Sequence, residues 1–370
     1  GFLVAVVGIG AAATRRASRS ASDYFLSGRS MPWWLLGISM VACTFSCGTP
    51  NLDTDIVRND GVAGNWVWWA FLLTGMLTVF VYAKLWRRSE LDTDLGFYEL
   101  RYSGRAAAAL RGFRALYLGV FFNVMSLAIG SLAAIKIGQV IFGLSAVETL
   151  LWASVGVGIY ATLGGLTGSI WADFFQYAIA MGGSIAAAVY LVRADIGGTG
   201  VTSLAGLWER IPADKLSFFP SVEGGDTALL VTVLVLPLAV QWWNVWYPGA
   251  EPGGGGYIAQ RMLAAKNEKH AIGATLLFNF MHYAVRTWPW LLVALVSLVA
   301  LPKETPQQMA RSQAWLSENA ALVQTCRGGG VAVSPEARME VRYHTAAARG
   351  HGALAKAFPE VEDAFLRDDI

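Results

Sequence analysis

Charge is what this sequence has least of. Of its 370 residues, 15% are Asp, Glu, Lys or Arg, where a water-soluble globular chain carries about a quarter. The formal net charge is +2, and no basic block alternates with aromatics, so a nucleic-acid partner is not expected. Three cysteines, Cys43, Cys47 and Cys326, give no disulfide framework. Four histidines, His270, His282, His344 and His351, do not stand at ligand spacing. No His or second Cys pair completes Cys43 and Cys47 into a zinc site. No Ser-His-Asp arrangement has motif support, and the glycine run at 253–256 lacks the Lys-Ser/Thr of a phosphate loop. An enzyme reading has little to stand on, and no organic cofactor is expected.

Apolar length is what the chain has. It is 55% hydrophobic with fifteen Trp and forty Gly, and its mean hydropathy is +0.46. Aromatic belts and close glycine contacts belong to helices in a bilayer. Apolar runs bounded by charge or Gly/Pro clusters predict eight spans, at 1–14, 32–55, 62–86, 113–142, 146–163, 166–193, 227–249 and 271–301. The first is short, and its basic residues follow the apolar run, unlike a signal peptide, so it reads as the remainder of a transmembrane helix. The fifth ends in "TLGGLTGS", a predicted tight turn. Lys and Arg set the orientation. Fourteen fall on one side (Arg15, Arg16, Arg19, Arg29, Lys84, Arg87, Arg88, Arg101, Arg105, Arg111, Arg114, Arg261, Lys266, Lys269) and five on the other (Arg58, Lys136, Arg193, Arg210, Lys215). The first side is predicted cytoplasmic, which puts the N-terminus and residues 302–370 outside a multi-pass plasma-membrane protein. The segment after 302 is polar, with helical periodicity at 306–324 and 352–366.

Three stretches carry possible chemistry. "GISMVACTFSCGTPN", 37–51, packs Ser39, Cys43, Thr44, Ser46, Cys47, Gly48, Thr49 and Pro50 where a span should be most apolar. A break here frees backbone carbonyls that cannot face lipid. Ala42 and Phe45 offer carbonyls and Thr44 and Ser46 hydroxyls, oxygen donors that suit a hard cation. The alternative is a small-residue helix interface with a proline kink. "YATLGGLTGSIWADFFQYAIAMGG", 160–183, carries Asp173. An ionisable residue there is a candidate cation waypoint, or a water-exposed carboxylate on a helix N-terminal dipole. "PLAVQWWNVWYPGAEPGGGGYIAQRMLAAKNEKHA", 237–271, mixes aromatic faces with amides at Gln241, Trp242, Trp243, Asn244 and Tyr247. It suits a small-molecule pocket or an aromatic belt at the interface.

Together, "DYFLSGRSMPWWLLGISMVA" (23–42), "YATLGGLTGSIWADFFQ" (160–176) and "YIAQRMLAAKNEKHA" (257–271) resemble the sodium:solute symporter family. That resemblance implies an all-α membrane fold, the leucine-transporter-like inverted-repeat bundle. Residues 1–14 then belong to an extra first helix, and 32–193 form a complete five-helix repeat. Residues 227–301 become the first two helices of a second repeat that is cut short, and 302–370 the extracellular loop before the next helix. It implies sodium as coupling ion, held by the carbonyls of Ala42 and Phe45 with Ser46 beside them. The remaining hydroxyls would come from a helix after residue 370. Thr44, Thr49, Gln241, Trp242, Trp243 and Asn244 fall at solute-facing positions, Asp173 at an aspartate on the ion's way to the cytoplasm, and Arg29 at a cytoplasmic arginine. The implied function is sodium-coupled import of a small organic solute. "WVWWAF", with Trp66, Trp68 and Trp69, stands where sugar-carrying relatives place acids and hydroxyls. This favours an amino acid or small carboxylate over a sugar. The alternative is the same fold serving as the sensor domain of a signalling protein.

Overall fold

The computed structural model describes residues 2–46, 48–195, 200–220, 227–243, 256–328 and 333–357. Among them the architecture is all-helical, the one strand-like feature being an isolated bridge between Met31 and Ala265. The chain separates into two compact units, 1–191 with 212–294, and 192–211 with 295–370.

Among the described residues four helical runs are long and apolar enough to cross a membrane: Val62–Ser89, Gly104–Gln139, Ala146–Arg193 and Glu268–Ala300, each lying wholly or mostly in the first unit. Three shorter apolar helices, Ala5–Arg15, Trp33–Cys43 and Thr227–Ala239, accompany them. Ala146–Arg193 is 48 residues long, roughly 70 Å at 1.5 Å per residue and too much for one crossing. Gly165 divides it. With φ 51° and ψ −153° it takes a conformation open essentially to glycine alone, and a Cβ there would lie 2.7 Å from the Tyr24 carbonyl oxygen. This is the turn expected in "TLGGLTGS". Gly164 and Gly168 let this helix close on Gly10, their would-be Cβ atoms 3.1 and 3.4 Å from its Cα. Small residues permit such backbone approach in lipid, where packing replaces the hydrophobic effect. The exterior is apolar: Leu116, Leu127 and Phe142 are each more than 65% exposed, a surface suited to acyl chains and unsuited to water.

The expected break in the second span is present. One helix, Trp33–Cys43, follows Pro32, and a second, Thr49–Asp60, starts with Pro50 in its first turn. The first half buries Leu35, Leu36, Met40 and Val41. It packs closest on Glu268–Ala300, where a Cβ on Gly37 would meet the Ala274 carbonyl at 2.9 Å. Its cytoplasm-predicted end is tied down twice. Arg29 donates to the Glu90 and Leu91 carbonyls at 2.5 and 3.2 Å, and Met31 exchanges backbone bonds with Ala264 and Lys266.

The second unit is polar and helical. Thr305 and Gln308 form a reciprocal capping box that starts Pro306–Glu318. Asn319 ends that helix, so the single helix expected over 306–324 is two, the second being Ala320–Gly328. Pro335–Ala347, capped by Ser334, was not expected. Val323, Cys326 and Val341 form its small core with Trp315 against it, and His344 stacks on Trp315 at 4.1 Å. Of the helix expected at 352–366, Gly352–Ala357 is described, and 358–370 lie outside the described residues.

Candidate functional site

Two polar knots flank the break, in a region otherwise built from apolar side chains. The first lies one turn before it. Ser39 and Cys43, four residues apart, share a helix face and meet Asp173 from the Ala146–Arg193 run. The Ser39 hydroxyl donates to Asp173 Oδ2 at 2.5 Å, and the Cys43 thiol reaches the same oxygen at 3.6 Å. Arg261, from the short Gly256–Leu263 helix, completes the cluster. Its Nη2 pairs with Asp173 Oδ2 at 3.0 Å, its Nε donates to Ser39 Oγ at 2.7 Å, and Nη1 donates to the Tyr257 carbonyl at 3.0 Å. The side chains of Arg261 and Asp173 are 5% and 14% exposed. Asp173 is therefore a mostly buried, ion-paired carboxylate, not one facing water at a helix end.

The break itself sorts the carbonyls. Val41 accepts from the Thr44 amide at 3.1 Å and its hydroxyl at 2.7 Å. Ala42 accepts from the Phe45 amide at 3.0 Å and shares the Thr44 amide with Val41. Among the described residues the Phe45 carbonyl accepts no hydrogen bond. Ser46 and Thr49 share a hydroxyl contact of 2.8 Å, and Ser46 is exposed. Ala42, Thr44, Phe45, Ser46 and Thr49 thus lie within eight residues of chain at the break. Phe45's ring packs edge-on against Tyr177 and Trp290.

The second knot uses Thr44 and two residues of the eighth predicted span. Arg286 Nη1 donates to the Thr44 carbonyl at 3.0 Å and Oγ1 at 2.9 Å. His282 lies with Nδ1 3.0 Å from Thr44 Oγ1 and Nε2 3.1 Å from Arg286 Nη2. A π-helical turn, Met281–Val285, sits here, and Arg286's amide bonds back five residues to Met281 at 2.9 Å. Such wide turns re-aim side chains and recur at functional sites. Trp68 stacks beside them on Tyr283 at 5.9 Å.

The remaining expected residues are less gathered. Gln241 is exposed on a short 3₁₀ turn. The Trp242 carbonyl accepts from the Thr74 hydroxyl. Trp243 ends that turn, and Asn244 lies outside the described residues. Sequence reasoning missed Arg261, Ser39, His282 and Arg286 as site residues. Charge within predicted apolar runs was the signal available for Arg286 and His282. Asp173 and Arg261 stand 88 positions apart, and nothing local joins them.

Comparison with known proteins follows the same lines. The model of the Sodium:solute symporter family matches residues 24–308. A sodium/glucose cotransporter of Vibrio parahaemolyticus is 26% identical over 318 residues, 84% of this chain and 55% of that protein. The sodium/sialic acid symporter SiaT of Proteus mirabilis is 24% identical over 193 residues, 50% of this chain and 36% of that one. The chain spans about half the length of the sodium/glucose cotransporters it matches. A solved structure of a Na+-coupled sialic acid symporter, in a substrate-bound outward-open state, aligns with a TM-score of 0.63 at 16% identity. That alignment covers 99% of this chain and 69% of the other, so the two share a fold.

Proposed function

The chain belongs to the sodium:solute symporter family, and from that premise we propose that the full-length protein is a sodium-coupled secondary transporter of a small organic solute in the cell membrane. The observation that carries this reading is the helix interruption between Cys43 and Thr49, with a Phe45 carbonyl that accepts no hydrogen bond among the described residues. Sodium needs about five or six oxygen ligands, because apolar walls return nothing for its lost water. Phe45 and Ala42 supply carbonyls and Ser46 a hydroxyl. The solute sits beside the break, with Thr44, Thr49 and the 241–244 segment as its polar neighbours. In this scheme 32–193 is the first repeat, 227–301 opens the second, and 302–370 is extracellular.

The knot of Ser39, Asp173 and Arg261 is then the cytoplasmic closure. It lies one turn further along the same helix, on the side predicted cytoplasmic. An ion leaving the break meets Asp173 next, and Asp173 exchanges Arg261 for sodium as the closure opens. Binding at the break favours one arrangement of the bundle and release favours the other, as alternating access requires. The named relatives are cotransporters, which favours transport over the sensor reading. Aromatic filling by Trp66, Trp68 and Trp69 supports an amino acid or small carboxylate over a sugar.

The test is uptake by the full-length protein in proteoliposomes. Labelled glucose, sialic acid, proline and pyruvate are compared under inward sodium and equal potassium gradients. At least one solute is expected to accumulate with sodium alone. Accumulation indifferent to the cation would overturn the reading.

A further inference from the structure

We propose that Arg286 is the recognition point for a carboxylate on the transported solute, an assignment that rests on the symport reading above. Arg286 is 2% exposed within an apolar membrane run. A guanidinium stays charged at any ordinary pH. Buried charges inside a membrane are normally paired. Arg261 obeys that rule through Asp173. Among the described residues Arg286 does not, since its side-chain partners are neutral: the Thr44 carbonyl, the Thr44 hydroxyl and His282 Nε2. Asp53 makes no ion pair with it within 4.0 Å. Asp53 is itself 1% exposed with Oδ2 unpartnered.

One donor is left over. Among the described residues Arg286 Nε–H is buried with no hydrogen-bond acceptor, and the hydroxyl of Tyr177 is likewise unpartnered. Arg286 Cζ lies over the Trp290 ring at 5.0 Å, and its Nη groups are engaged by Thr44 and His282, which leaves Nε as the free edge. A carboxylate has the chemistry that edge lacks. It accepts from Nε–H and supplies the missing negative charge, and planar bidentate pairing is what the guanidinium geometry favours. A neutral sugar accepts the hydrogen bond but leaves the charge unbalanced. The place is also right for coupling, because Thr44 joins Arg286 directly to the break that offers its carbonyls to sodium.

The test is thermal unfolding of purified full-length protein at constant sodium, repeated with equal potassium in its place. The acids added are lactate, propionate, benzoate and the zwitterion proline. The neutral counterparts are lactamide, propionamide, benzamide and glucose. At least one acid is expected to raise the melting temperature, at concentrations where its neutral counterpart does not. Arg286→Gln is expected to weaken that acid roughly tenfold to a hundredfold, the loss of one charge-assisted bond. Arg286→Lys keeps a cation and retains part of the effect, and it serves as the reading should Arg286→Gln not fold. The proposal is overturned if no acid shifts the wild type, if the neutral compounds act as well as the acids, or if both variants bind the acid like wild type. A wild type that answers to the acid but treats sodium and potassium alike defeats the symport reading and leaves the Arg286 site standing.

Discussion

Replacing Arg261 by Met removes the cation from the knot while keeping much of its length. Asp173 is then a carboxylate with a 14% exposed side chain, held by the Ser39 hydroxyl and the Cys43 thiol. At 3.0 Å and an effective dielectric of about 20, the lost attraction is about 5.5 kcal/mol before desolvation is counted. Breaking a buried pair from one side costs about 3–5 kcal/mol in practice. If the knot exists in the cytoplasm-closed arrangement and not in the open one, this shifts their ratio by roughly a hundredfold or more. Cys43 reports on it, because its thiol lies inside the knot. The assay uses the full-length protein in inside-out vesicles, with the other cysteines changed to Ser and an impermeant maleimide outside. Arg261→Met should speed alkylation of Cys43 at least about tenfold, short of the full shift because labelling also needs access. Arg261→Met with Asp173→Asn removes both charges and should return the rate towards wild type, since a pair deleted together is close to neutral. Unchanged labelling in the single variant, or a double variant as open as the single, would refute the closure.

Three further outcomes are expected. Gly165→Ala forces a side chain into a glycine-only conformation against the Tyr24 carbonyl, and should cost at least about 1–3 kcal/mol in thermal or denaturant unfolding. His344 has its pKa pushed below the usual 6.5 by burial against the Trp315 stack, with Glu340 opposing. Its contribution is present above the unfolded value and lost as pH falls through the lowered folded one. Hydrogen-exchange protection factors over 306–328 and 333–347, corrected for the slower intrinsic exchange in acid, should therefore fall on acidification past that range in wild type, and less in His344→Phe. For orientation, exposed Ser317→Cys should react with an impermeant thiol reagent on intact cells, and exposed Ser103→Cys should not. The reverse pattern inverts the topology.

Local chemistry explains what was legible in the sequence. Gly48 and Pro50 in an apolar run announce a break, and the first helix ends slightly earlier, at Cys43, where Thr44 turns its hydroxyl back to Val41. "TLGGLTGS" announces a turn because one residue in it must be glycine. Ser334-Pro335 is a helix start of the same local kind, cap then proline, and could have been read as one. The knots are different. Asp173 finds Arg261 only after three separate helices pack, and periodicity carries no information on that distance. His282 and Arg286 share a face in any helical reading, but a π turn sets which neighbour that face meets. The Asn319 stop depends on a cap that backbone geometry, not composition, decides.

The sodium claim is tested most directly by thermal unfolding of the full-length protein without solute, titrated with sodium or potassium at fixed ionic strength. A cation held by the Phe45 and Ala42 carbonyls binds the folded state alone, so stability should rise with the logarithm of sodium above its dissociation constant. Potassium should leave it flat, and Ser46→Ala should move the sodium curve to higher concentration. Superimposable sodium and potassium curves would contradict a sodium site at the broken helix.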